Sequence, residues 1–115
     1  MLRDAVLNYL DPRNELIDAR LYRHNCFLVK GCYVKDLRIF QERKLKNIVI
    51  VDNYVHSFGK QLSNGIPIIS WYDDKKDEEL LSLIDYLQIL SAADDVRVIN
   101  RKTFKLEKLT SHKLY

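Results

Sequence analysis

The sequence predicts an α/β fold built on a parallel sheet, and three observations carry that expectation. Ile48 to Val51 is a run of four β-branched apolar residues inside the stretch Asn47–Asn53, the pattern of a short strand buried on both faces, as inner strands of parallel sheets are. Ile66-Pro67-Ile68-Ile69 reads as a second short strand, its proline tolerated near a strand end or at an edge. Helical spacing recurs around them, clearest in Leu80, Leu81, Ile84, Leu87 and Leu90, which mark one apolar helix face.

The remaining elements follow in order. Leu2, Val6, Leu7 and Leu10 fall at helical spacing, and Asp11-Pro12 ends that helix, because the residue before proline is driven out of the α region. Leu16 to Tyr22 and Cys26 to Val29 alternate apolar and polar residues before the turn at Lys30-Gly31, which predicts two short strands or a hairpin. A short helix is expected from Asp36, its N-cap, to the basic stretch Arg43–Lys46. Tyr54 to Gly65 is polar and turn-rich, a loop with a helical turn in it. Asp74 and Asp77 offer an N-cap and a first-turn acid to the Leu80–Leu90 helix. Asp94-Asp95-Val96-Arg97 starts a last short helix or turn, and Arg101 to Tyr115 reads as a mixed, frayed tail.

Composition narrows the function. With 115 residues, 47% hydrophobic and 30% charged, the chain fits one globular domain. A net charge of +3 with no basic run beyond two residues leaves no nucleic-acid footprint, and no apolar run approaches the ~20 residues of a membrane span. Two cysteines, Cys26 and Cys32, and no signal-peptide pattern predict a reduced, intracellular protein. His24, Cys26 and Cys32 fall one ligand short of a zinc site and are poorly spaced for one.

Asp52 and Asn53 stand directly after the first strand. Open α/β sheets bind ligands beyond the carboxyl ends of their strands, which makes this pair a candidate metal or phosphate site. A plain turn as the chain leaves the sheet would account for them as well.

Several stretches, taken together and in order, resemble one family: A-R-L-Y-R at 19–23, G-C-Y-V-K-D-L at 31–37, I-V-I-V-D-N at 48–53, Q-L-S-N-G-I-P-I-I-S-W at 61–71, D-E-E-L-L-S-L-I at 77–84 and D-D-V-R at 94–97. They are similar to the carboxyl-terminal half of the CTD-phosphatase domain, a branch of the haloacid dehalogenase superfamily, and within it to the CTD small phosphatase-like group, especially its "like protein 2" type. The resemblance covers residues 1–106, with 107–115 as a tail. It implies a partial Rossmann-like fold, a protein phosphoserine or phosphothreonine substrate, and Mg²⁺. It also implies roles: Lys35 neutralises the phosphate, Asp52 and Asn53 hold the metal, and Arg23 lies near the pocket, with a structural salt bridge as the alternative for Arg23. The chemistry asks for such residues, since a carboxylate attacking a phosphate dianion needs its repulsion relieved by a hard cation and a fixed positive charge.

The departures matter as much. No Asp-x-Asp-x-Thr, the family's nucleophile motif, occurs in the sequence, and Met1 falls just after the place where the family's second motif ends. Tyr54-Val55-His56 replaces the usual Ser-Pro-x, and His24 stands where glutamate is common. His56 as a substitute nucleophile has no orienting partner legible in the sequence, so a surface role is expected. The family's sheet runs in the order five, four, one, two, three, and this chain supplies only strands three, four and five. Strand four is then left with an open edge that invites a complementing chain or self-association. The expectation is a phosphatase fragment, inactive alone and nuclear or cytoplasmic; the alternative is a non-catalytic phosphopeptide- or protein-binding module. The mitochondrial presequence translocase subunit with the same domain fits less well, because its Asp-Asn equivalent usually differs and no transit segment or anchor is present.

Overall fold

The computed structural model describes residues 2–109, so the last six residues of the expected tail lie outside the described part. Helix α1 (Leu2–Leu10) ends where expected. Asp11 then folds back: its buried carboxylate accepts the backbone N–H groups of Glu15, Leu16 and Ile17 at 2.8–3.1 Å. Those bonds curl the chain, and Leu16 to Tyr22 is not a strand, in contrast to its alternating pattern. The hairpin instead joins β1 (Phe27–Val29) to β2 (Cys32–Val34), antiparallel, with Val29 opposite Cys32. Its two-residue turn has both Lys30 (φ 49°) and Gly31 (φ 81°) in the left-handed region, the geometry whose twist suits tight hairpins.

The expected helix at Asp36 shortens to a single 3-10 turn, Leu37–Ile39, capped as predicted by the Asp36 side chain on the Arg38 N–H. Strand β3 (Ile50–Asp52) pairs in parallel with β4 (Gly65–Pro67). The two strand pairs form separate two-stranded sheets among the described residues, so β3 has β4 on one edge and no strand on the other. Pleating sends Ile50 to one side, against Phe58, Leu62 and Leu106, and Val49 and Val51 to the other, against Ile66, Leu90 and Val96. Both faces of β3 are therefore covered, yet its apolar residues are only half-buried, because that second edge stays open.

The 3-10 segment Val55–Asn64 fastens these parts together. Asn64, 1% exposed, donates its side-chain amide to the carbonyls of Leu45 (2.6 Å) and Ile48 (2.8 Å), fixing the approach to β3. Gln61 accepts the Leu37 N–H and donates to Asp36. Gly65 sits against Phe58 so closely that a Cβ there would lie 1.9 Å from the ring. Any larger residue there has to displace the ring.

Helix α2 (Glu79–Ser91) begins five residues after Asp74, and it is Asp77 that accepts the Glu79 N–H. The buried face is only partly the expected one, of which it keeps Leu87 and Leu90. Leu83, Tyr86, Leu87 and Leu90 pack on Ile66 and Val96, while Leu80, Leu81 and Ile84 are exposed. Helix α3 (Val96–Phe104), capped by Asp95, runs into the stretch read as a frayed tail, and Leu106 beyond it is buried. The physical reason is a polar clamp: buried Asn100 accepts from the Tyr86 hydroxyl and donates to the Ser63 carbonyl, and Arg101 reaches Ser63 and Glu107.

Candidate functional site

Lys35 is the first residue past β2, and Asp52 is the last residue of β3. Backbone geometry brings them together: the Lys35 N–H donates to the Ser57 carbonyl at 2.7 Å, which docks the end of the hairpin on the segment leaving β3. The side chains then meet directly, Lys35 Nζ to Asp52 Oδ2, at 2.6 Å. Asp52 is 7% exposed and the Lys35 side chain about half exposed, so a buried carboxylate is matched by an ammonium that still faces solvent. Such a group can serve both its partner and an incoming anion.

The Asp52 carboxylate is held further. Oδ1 accepts the Tyr54 N–H at 2.9 Å, and the Asp52 carbonyl accepts the Ile68 N–H at 3.1 Å. Asn53 is exposed, and its amide nitrogen donates to Ser70 Oγ at 2.9 Å. Asp52 and Asn53 are therefore adjacent oxygen-bearing groups at the carboxyl end of a parallel strand. Among the described residues no three His, Cys, Asp or Glu side chains gather closely enough to hold a metal. Asp52 and Asn53 suit Mg²⁺ in kind, and they suffice in number only where water and phosphate oxygens would complete the octahedron, since that ion takes just one or two carboxylates from the protein.

Arg23 begins the 3-10 turn Arg23–Asn25 and lies with its guanidinium 5.2 Å from the centre of the Tyr33 ring. Among the described residues it is paired with no carboxylate, so a structural salt bridge does not explain it. It lines a wide groove that Lys35 also lines, beside the open edge of β3. His56, expected at the surface, is half-buried and stacks on Tyr54 with ring centres 4.9 Å apart. Asp36, next to Lys35, is bound by the Arg38 guanidinium, which holds its carboxyl well below the usual range.

The structure thus brings Lys35, Asp52 and Asn53 together and sets Arg23 on the neighbouring groove. Sequence reading missed Ser57, Tyr54 and Ser70, which position the other three. Their bonds run through backbone groups or a single hydroxyl, and no spacing rule singles those out.

Comparison with known proteins identifies the family. The model of the NLI interacting factor-like phosphatase family matches residues 1–97. CTD small phosphatase-like protein 2 of Dictyostelium discoideum is 49% identical over 108 residues, 94% of this chain and 19% of the relative. CTD small phosphatase-like protein 3 of Caenorhabditis elegans is 46% identical over 104 residues, 90% of this chain and 36% of the relative. The human carboxy-terminal domain RNA polymerase II polypeptide A small phosphatase 2 is 41% identical over 98 residues, 80% of this chain and 36% of the relative. The chain spans about a fifth to two fifths of the length of such relatives. With 97 of its 115 residues matched by one family model, the chain belongs to the NLI interacting factor-like phosphatases.

Proposed function

We propose that this chain holds the phosphoryl group of a phosphoserine- or phosphothreonine-bearing protein at Lys35, with Asp52 and Asn53 as donors to Mg²⁺, and that these 115 residues alone bind without turnover. The observation that carries the reading is the 2.6 Å contact between the Lys35 ammonium and the Asp52 carboxylate beyond the carboxyl end of β3, where α/β sheets place their ligands. When bound there, Mg²⁺ would offset the charge of the phosphate oxygens. Arg23, across the adjoining groove, adds a second positive charge. The absence of Asp-x-Asp-x-Thr from the sequence supports the lack of turnover, because charge neutralisation without an attacking carboxylate leaves the P–O bond intact.

The partial Rossmann-like reading of the fold belongs to the same proposal. The open edge of β3 is where the two central strands of the order five, four, one, two, three would pair, supplied by a complementing segment. Relatives named for RNA polymerase II fit an intracellular protein, nuclear or cytoplasmic.

The test has two arms. With Mg²⁺ and an aryl phosphate, the chain is expected to release no more product than its Asp52→Ala variant; turnover that depends on Asp52 overturns the claim of inactivity. By calorimetry, phosphoserine is expected to bind and Lys35→Ala to lose that binding; no heat with the unsubstituted chain removes the phosphate reading.

A further inference from the structure

A second groove, of about 570 Å³, starts at the Lys35–Asp52 pair and runs away from the open edge of β3, along Asn53, Trp71, Asp77, Glu79, Leu80 and Leu81. Its apolar wall is exposed: Trp71 is 62% and Leu80 69% accessible, and Leu81 and Ile69 are similarly open. The Trp71 ring is held in place, since its indole N–H donates to the Asp74 carbonyl at 2.7 Å. A cluster of large side chains left in water beside a polar site marks a contact surface. The carboxylates of Asp77 and Glu79 give it a negative rim.

We infer that this groove receives the peptide segment flanking the phosphorylated residue, placing a large apolar side chain against Trp71, Leu80 and Leu81 and a Lys or Arg beside Asp77 and Glu79. The inference rests on the phosphate reading of Lys35 and extends it to substrate selection. Continuity is the first argument, because Lys35 and Asp52 themselves line this groove. Charge is the second. The acid rim complements a basic residue, whereas a second copy docking here would gather the Asp77 and Glu79 carboxylates of both copies into one interface.

Trp71 is the only tryptophan in the chain, so its fluorescence reports on this groove alone. The probes are inorganic phosphate, a phosphoserine peptide with Leu and Arg flanks, and the same peptide with both flanks Ala. The Leu/Arg peptide is expected to shift Trp71 emission and to bind about tenfold tighter than the Ala peptide. Leu80→Gln, a change at an exposed position, should erase that advantage and leave phosphate affinity unchanged. Glu79→Gln should weaken only the preference for Arg. Equal affinities for the two peptides, or an advantage that survives Leu80→Gln, overturn the subsite while phosphate binding stands. Failure of all three probes overturns the phosphate reading and the subsite with it. Sedimentation showing a dimer with Trp71 buried assigns the groove to self-contact and overturns it too.

Discussion

Residues 2–47 and residues 48–109 are held together by different means. Both apolar clusters lie in the second part, around Phe58, Leu62 and Leu106 and around Ile66, Leu90 and Val96. The first part buries Val34 and Leu37, while Tyr9, Leu10, Leu16, Leu21, Phe27 and Leu28 remain exposed. It is attached largely through directed bonds: Lys35 N–H to Ser57, Leu37 N–H to Gln61, and Asn64 to the Leu45 carbonyl. The difference teaches where precision comes from in this site. One part supplies burial energy and Asp52, and the other is hung on it by hydrogen bonds that set the position of Lys35.

That contrast can be broken from the core side most strongly. Phe58→Ala, in a fully buried ring position, is expected to cost about 3–5 kcal/mol, read from a urea midpoint and melting together. Gly65→Ala presses a methyl into the same ring and should cost about 1–3 kcal/mol. Both should unfold the two parts at once. Asn64→Ala should behave differently. It removes the donor from the Ile48 carbonyl and leaves the Leu45 carbonyl only the Ile48 N–H, at a cost of about 1–3 kcal/mol, and amide exchange should rise first around residues 45–48, with the Phe58 cluster still protected. Uniform loss of protection would mean that the parts are not separable. Lys35→Ala comes next, with a stability loss of about 1–3 kcal/mol because the buried Asp52 carboxylate keeps only the Tyr54 N–H, and phosphoserine binding is lost. Phosphoserine binding that survives in the folded variant would reassign Lys35 to structure.

The smallest effect is that of acid. Burial pushes the Asp11 carboxyl up, but the N–H groups of Ile17, Glu15 and Leu16 more than reverse it. Arg38 lowers Asp36, and Arg97 lowers Asp95 to about 2. A carboxylate with a depressed folded pKa stabilises above its unfolded value, and that contribution fades as the pH falls through the folded one. Urea midpoints should therefore stay level from neutral pH to about 5 and decline from about 4 toward 2. Midpoints that rise on acidification would show that these carboxylates repel rather than bind their surroundings.

Much of the site was legible because its signals are local. The β-branched run ending in Asp52-Asn53, the Lys30-Gly31 turn and the caps at Asp36 and Asp95 each declare themselves within a few residues. What stayed hidden acts at a distance. Asn64 bonds carbonyls 16 and 19 residues earlier, and Asn100 bonds one 37 residues earlier; a polar residue in a polar stretch gives no hint of that. The α2 face was read correctly at Leu87 and Leu90 but not at 80, 81 and 84, for another reason: with leucines at 80, 81, 83, 87 and 90, the helix is apolar nearly all round and its phase is undetermined until a neighbour chooses it. At Leu16–Tyr22 the alternation was real, but Asp11 had already claimed the amide hydrogens a strand would have used.

The ion pair between Lys35 and Asp52 has a consequence for ligand competition. The carboxylate occupies the ammonium as a phosphate would, and so acts as an internal rival for it. Removing the rival's charge with Asp52→Asn should strengthen the grip on bare phosphate in metal-free buffer. A cation drawn to Asp52 would relieve the same rivalry, so anion and cation would each raise the other's affinity by one common factor.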